Sequence, residues 1–339
     1  MTDKHDEFDI SIPLANEDLQ ELFEAFDPIQ MDHYKAFLPE NRLPIVLAHG
    51  IARPDYLINS LARTLSLSLY DYSLVFDRFH YFKGIASYLK RYGFEVYHSS
   101  VSFAAGVEKR ARDLKREVEK ILVRSGHDKV HIIAHSMGGL DARYMIVNEG
   151  MAEHVATLTT IGTPHLGSSV SDYIMENGVQ RVVGVLSKVV NLEGIRSCSL
   201  AACAEFNDFA REMEAKNKVI YQTYASYQTR EATFYPFQYA WKILDAREGN
   251  NDGLVSYRSQ RWTDRIVARD GTVKPVRQHD FPMRFDHIDQ IGWWNMNKVL
   301  KAGWWNLKAL HVKNKHEQII KNVYLKIANE VCFIQQVRG

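Results

Sequence analysis

The sequence predicts an α/β protein built on a doubly wound, mostly parallel sheet with helices on both faces. Three observations carry this. Short continuous apolar runs alternate with amphipathic stretches, the runs end in tight glycine- or serine-containing turns, and one stretch, about residues 168–217, fits neither pattern and reads as a helical insertion.

Pro44-Ile-Val-Leu-Ala is the first run, ending at His49-Gly50 as a buried parallel strand opening into a loop would. Residues 82–91 have helical character and stop at Gly93, and Phe94-Glu-Val-Tyr-His reads as the second strand. Val107, Ala111, Leu114, Val118 and Ile121 form an apolar stripe among charges, the pattern of a helix that covers one face of a sheet. After the Ser125-Gly126 break, Lys129-Val-His-Ile-Ile-Ala-His is a strand and Met137–Asn148 returns to helical spacing, so a sharp strand-to-helix turn falls at Ser136. Val155–Ile161 and Val219–Ala225 read as further strands. Within the insertion, Val179–Leu192 has no clean apolar face and Ser197–Ala204 is rich in small residues. A C-terminal helical segment, about 296–339, carries Ile320, Val323, Tyr324, Ile327, Val331 and Ile334 on one stripe. The expected organisation is an acidic extension over residues 1–40 followed by one domain over 41–339.

Composition narrows the function classes. Hydrophobic residues make up 46% and charged residues 24%, enough apolar side chain to bury a large sheet and too much for a disordered chain. A net charge of +1, with no basic cluster interleaved with stacking aromatics, argues against nucleic acid as a partner. Charge is uneven, however: the first forty residues are acidic, while Lys298, Lys301, Lys308, Lys313, Lys315, Lys321 and Lys326 crowd the end. Cys198, Cys203 and Cys332 are odd in number and lack zinc-ligand spacing, which points to free thiols. The start has no basic segment leading into an apolar one, and no run approaches the ~18 apolar residues of a membrane span, so a cytoplasmic chain is expected.

Ala134-His-Ser-Met-Gly-Gly is a nucleophile-elbow sequence of the G-x-S-x-G type with Ala in the first position. Such a turn projects its hydroxyl from a strained backbone at the top of the sheet, and the Met137 N–H then lies at a helix N-terminus where it can bind an oxyanion. A serine hydroxyl needs a base, and the base a carboxylate that holds its tautomer. Asn251-Asp252-Gly253 offers the carboxylate and Asp286-His287-Ile288 the imidazole, in the chain order Ser, acid, His. Read alone, Asn251-Asp252-Gly253 is equally a surface turn, and Asp245 is a rival acid. His49, His135, His165 and His279 rival His287; chain order does not separate His279 from it, whereas His135 and Asp286 are direct neighbours of the groups they would serve and point away from them. His49-Gly50-Ile51, after the first strand, supplies a loop whose Ile51 N–H is the second candidate oxyanion donor, and His49, Gly50 and His135 are candidate substrate contacts.

With these residues in view the chain resembles the bacterial triacylglycerol lipases of the α/β-hydrolase superfamily, the Pseudomonas-type group in particular. The matching segments are Val46-Leu-Ala-His-Gly, Tyr81-Phe-Lys-Gly-Ile-Ala-Ser-Tyr-Leu, Val130 to Tyr144, Ile161-Gly-Thr-Pro-His-Leu-Gly-Ser, Asn251-Asp-Gly-Leu-Val and His287-Ile-Asp, spread over Pro44 to Gly292. The resemblance implies an α/β-hydrolase fold, hydrolysis of long-chain acyl esters by Ser136, Asp252 and His287, an oxyanion hole from Ile51 and Met137, and a mobile helical lid between Gly167 and Asn217. It implies no cofactor for the chemistry, but a structural calcium ion at Asp289; the family's other carboxylate position falls at Thr233, with only Glu231 nearby. Trp293-Trp294 and Trp304-Trp305 offer transient contact with a lipid interface or, more simply, buried packing. Acceptor and substrate stay open, because phospholipases, thioesterases and acyltransferases share the acyl-enzyme, and a non-catalytic binding protein on the same fold is the rival of another class. Oligomeric state is not legible.

Overall fold

A computed structural model of the chain describes residues 42–51, 81–102, 105–178, 192–293 and 307–338. The acidic stretch 1–40, the middle of the expected insertion at 179–191, and Trp294, Trp304 and Trp305 lie outside the described residues.

In chain order the elements are β1 (Ile45–Ala48), α1 (Ile85–Arg91), β2 (Val96–His98), α2 (Val107–Ser125), β3 (Val130–His135), α3 (Met137–Asn148), β4 (Val155–Ile161), α4 (Ser169–Asn177), α5 (Leu192–Ser197), α6 (Leu200–Lys216), β5 (Ile220–Ala225), α7 (Gln238–Glu248), α8 (Tyr257–Arg261), β6 (Arg265–Val267), β7 (Val273–Pro275), β8 (Arg277–Asp280) and α9 (Leu307–Arg338). Six strands form one sheet in the order β2-β1-β3-β4-β5-β8, and each neighbouring pair is parallel. All residues of β1 and β3 are buried, as strands covered on both faces must be.

The stripe on α2 meets the sheet at Ala111, Leu114, Val118 and Ile121, which join Val46, Ile132, Leu158 and residues of α3 and α6 in one core. Fully burying Leu114 or Val118 contributes roughly 1.5–3 kcal/mol each. The opposite face is covered by α9: its stripe from Ile320 to Ile334 is buried, Tyr224 Oη of β5 donates to Glu330 Oε2 at 2.8 Å, and Tyr324 packs edge-on against Phe82.

Two features depart from the sequence expectation. The last parallel strand, β8, and the β6–β7 hairpin have no apolar run to announce them: Arg277-Gln-His-Asp holds the sheet edge through its backbone, paired with β5, and none of its side chains is buried. Within the stretch expected to form a separate insertion, Ala210 and Ala215 of α6 also belong to the sheet-covering core.

Sheet order reverses at β1, whose neighbours are β2 and β3. In open parallel sheets the crevice beyond the carboxyl ends of such strands is where ligands bind. Here those ends are His49-Gly50-Ile51 and Ser136.

Candidate active site

Ser136 joins β3 to α3 with φ 57° and ψ −136°, a conformation that costs a non-glycine residue on the order of 1–3 kcal/mol. The turn is pinned from below: Ser136 N–H donates to Ile161 O at 2.9 Å, and Thr163 Oγ1 donates to Ser136 O at 2.8 Å. Glycine is required at 138, since a Cβ there would sit 2.6 Å from Ala48 O; its absence lets α3 start hard against the end of β1.

His287 lies in the loop between β8 and a single helical turn at Asp289–Ile291. Its Nε2 is 2.9 Å from Ser136 Oγ and its Nδ1 is 2.8 Å from Asp252 Oδ2. Asp252 is wholly buried in the turn after α7, so the surface-turn reading of Asn251-Asp252-Gly253 does not hold. Asp252 Oδ1 accepts the backbone N–H groups of Leu254 and Val255 at 3.0 and 2.8 Å, and the His287 N–H donates to Asp252 O at 2.9 Å. Acid and imidazole are therefore tied together by backbone as well as side chain. The rivals fall elsewhere: Asp245 is exposed on α7, His279 stacks on Tyr224, and His165 stacks on Trp262 and bonds Thr160 and Arg143.

The loop after β1 approaches Ser136 closely. A Cβ at Gly50 would lie 3.1 Å from Ser136 Oγ and 2.7 Å from the Tyr81 hydroxyl. Ile51 packs against the small cluster of Met137, Leu140, Cys198 and Cys203, so the two candidate oxyanion donors belong to one neighbourhood. Arg110 of α2 braces this loop: wholly buried, it donates from Nη2 to His49 O at 2.8 Å and Gly50 O at 3.2 Å, from Nη1 to Ser102 O at 2.9 Å, and from Nε and Nη2 to Asp141 Oδ2 of α3 at 2.9 and 2.7 Å. Because the peptide is trans, holding the Gly50 carbonyl toward Arg110 turns the Ile51 N–H the opposite way. Burial raises the Asp141 carboxyl to about 6, against the lowering effect of Arg110.

Two residues expected as substrate contacts have their rings in the interior. The ring of His49 is buried, with Nδ1 donating to Gly50 O at 2.9 Å and Nε2 accepting from the Val101 N–H at 3.4 Å. His135 is fully buried between Tyr81 and Gln290, with its ring centroid 4.5 Å from that of His287. Both imidazoles face the scaffold because they sit at the end of a buried strand or just beyond it. Burial, and then the nearby His287, hold the His135 pKa well below the ordinary imidazole value, so it stays neutral beside the candidate base.

Sequence reading missed Arg110, Asp141, Tyr81 and Gln290. A signal existed for Arg110, which stands three residues after Val107 on the face of the apolar stripe, and for Asp141, a charge in the first turns of the mostly apolar helix α3. Gln290 offered none.

The calcium ion implied by the resemblance finds an unsuitable donor set here. Asp289 Oδ1 faces His316 Nε2 at 3.5 Å and its Oδ2 faces the Asp286 N–H at 3.4 Å. Asp286 accepts three backbone N–H groups, from Phe234, Ile288 and Asp289, and its pKa is pushed well up by burial and then by the charge of Asp289. The Thr233 hydroxyl donates to Thr229 O. A hard cation needs oxygen lone pairs turned toward it, whereas these oxygens face an imidazole and amide hydrogens. Among the described residues no group of three or more His, Cys, Asp or Glu side chains is arranged to hold a metal.

Comparison with known proteins agrees with this architecture. Over 341 aligned residues the chain is 28% identical to triacylglycerol lipase 2 of Saccharomyces cerevisiae, covering 89% of this chain and 93% of that protein. A triacylglycerol lipase of Pseudarthrobacter phenanthrenivorans is 34% identical over 152 residues, 44% of this chain and 41% of that one. The crystal structure of Staphylococcus hyicus lipase superposes with a TM-score of 0.55 at 16% identity over 88% of this chain and 98% of that one, a likeness of fold. A metagenomic carboxyl esterase superposes with a TM-score of 0.56 at 18% identity over 87% of this chain and 76% of that one. Residues 44–323, most of the chain and all of the sheet, match the α/β hydrolase fold family, and the chain belongs to it.

Proposed function

We propose that the protein is a serine hydrolase of carboxylic esters whose natural substrates are long-chain acyl esters, triacylglycerols foremost. The reading rests on one observation above the others, the unbroken line from Ser136 Oγ through His287 to Asp252 at 2.9 and 2.8 Å. His287 Nε2 takes the Ser136 proton as Oγ attacks the ester carbonyl, and Asp252 holds the ring in the tautomer that leaves Nε2 bare. The oxyanion is bound by the N–H groups of Ile51 and Met137. His287 then protonates the departing alcohol, and water, activated by the same base, releases the acid from Ser136.

The names of the yeast and bacterial relatives favour glycerides. So do the exposed apolar side chains of Met175, Leu192 and Leu200 on α4, α5 and α6, which suit a lid that meets lipid. No calcium enters this scheme, since Asp289 Oδ1 faces the His316 ring rather than further oxygen donors. Among the described residues no helix is long and apolar enough to cross a membrane.

Hydrolysis of p-nitrophenyl esters from short to long acyl chains, and of an emulsified triglyceride, tests the proposal. Activity should rise toward long chains, and Ser136→Ala should lower kcat by about 10⁴-fold or more. Activity confined to short chains would reduce the protein to a carboxylesterase, and a fully active Ser136→Ala would remove the mechanism.

A further inference from the structure

Behind the candidate triad lies a second line of hydrogen bonds that the acyl-transfer scheme does not use. Gln290 Nε2 donates to Asp252 Oδ2 at 3.1 Å, the same oxygen that receives His287 Nδ1. Gln290 Oε1 is 3.3 Å from His135 Nε2, and His135 Nδ1 is 2.7 Å from the Tyr81 hydroxyl. The Tyr81 hydroxyl in turn lies against Gly50, where a Cβ would sit 2.7 Å from it, and Tyr324 of α9 donates to Gln290 O at 3.0 Å. Gln290, His135, Asp252 and Tyr324 are completely buried and Tyr81 nearly so.

The charge on Asp252 settles every proton in this line. A carboxylate oxygen only accepts, so the Gln290 amide must turn its NH₂ toward Asp252 and its Oε1 toward His135. His135 must then carry hydrogen on Nε2, which leaves Nδ1 bare to receive the Tyr81 hydroxyl proton. That bond holds the Tyr81 hydroxyl against Gly50. A flipped amide would set Oε1 against Asp252 and break each later bond in the line, so the arrangement has one consistent state. It also ends on the loop whose next residue, Ile51, is the candidate oxyanion donor.

We infer that Gln290 is a positioning residue: resting on the acyl-transfer reading above, it holds Asp252 in the rotamer that orients His287 and, through His135 and Tyr81, couples that orientation to the Gly50 loop. It touches neither substrate nor the reacting atoms. Asp252 Oδ1 is already held by two backbone N–H groups; Gln290 restrains Oδ2, the oxygen His287 depends on. A buried carboxylate deprived of such a donor turns toward whatever donors remain, and His287 loses its orientation with it.

Gln290→Leu keeps the volume approximately and removes both amide bonds. With a soluble p-nitrophenyl ester, kcat should fall about tenfold or more while KM stays within about twofold. The downfield proton resonance of His287 Nδ1–H should shift. In an Asp252→Asn background the same substitution should leave the residual kcat nearly unchanged, because the group it acts through is already gone; general damage to the fold would lower it again. Should Gln290→Leu not fold, Tyr324→Phe removes only the hydroxyl bond to the Gln290 carbonyl, and a shifted His287 resonance with about a two- to threefold lower kcat is expected. Unchanged kcat and resonance in Gln290→Leu, or in its substitute Tyr324→Phe, would overturn the inference, as would an undiminished loss in the Asp252→Asn background. Ser136→Ala, run alongside, keeps the two readings apart: if it stays active the triad fails, and if it is inactive while Gln290→Leu is fully active only the positioning role fails.

Discussion

Helix α3 carries two buried ionic residues, Asp141 and Arg143, two positions apart and so pointed to different sides, and the pairs they form are built differently. Arg143 meets Glu214 of α6 through two parallel bonds, Nε to Oε1 at 2.8 Å and Nη2 to Oε2 at 2.9 Å. Its guanidinium lies 3.8 Å over Trp262 and 4.9 Å from the Phe206 ring centre, and Nη1 is spent on His165 at 3.2 Å. That pair is closed, with both carboxylate oxygens used. Asp141 receives Arg110 on one oxygen only, and its Oδ1 has no hydrogen-bond partner among the described residues. The donors Arg110 thereby keeps go to the carbonyls of His49, Gly50 and Ser102. A closed ion pair clamps helix to helix; an open one leaves hydrogen bonds to spend on a loop beside Ser136.

Substitution sharpens the contrast. The largest stability loss should follow Arg143→Ala, which strands Glu214 in the interior: about 3–5 kcal/mol in denaturant unfolding, with kcat per active site, titrated by a serine-reactive phosphonate, nearly unchanged. Arg110→Met should be milder in unfolding, about 1–3 kcal/mol, because a carboxyl already raised to about 6 is readily protonated. Its kcat should nonetheless drop about tenfold as the Ile51 N–H loses its fixed direction, a fraction of the ~10²–10³ that loss of a whole oxyanion donor costs. Equal kcat losses in the two variants would erase the distinction. The smallest effect is reserved for a third buried group, Asp289 with His316: a chelator should leave kcat within about twofold, as no oxygen cage for a hard cation is assembled there. A tenfold loss on chelation would place that cluster with the ion-dependent ones instead.

Much of the fold was legible. Met137–Asn148 and Val155–Ile161 were read to the residue, because apolar periodicity and the serine turn are local signals. β8 was not, since an edge strand made of Arg, Gln, His and Asp is held by backbone pairing with β5, which leaves no mark on side-chain pattern. Within the site, Ser136 was legible from its flanking small residues. His49 and His135, expected as substrate contacts from their place beside Gly50 and Ser136, have rings that turn inward, a direction that neighbourhood in sequence does not reveal.

By itself the sequence determined the alternation of strand and helix, the strained turn at Ser136 and a short set of carboxylates and imidazoles in a usable order. These follow from contacts a few residues apart. Only the tertiary structure decided that Asp252 rather than Asp245 meets His287, that Arg110 interrupts an apolar stripe in order to hold a loop, and that Gln290 closes a line to His135. Ser136 and His287 are separated by 151 positions and His135 and Gln290 by 155. Over such distances only packing, which aligns the carboxyl ends of β1 and β3 with the loops that follow α7 and β8, brings side chains to within a hydrogen bond.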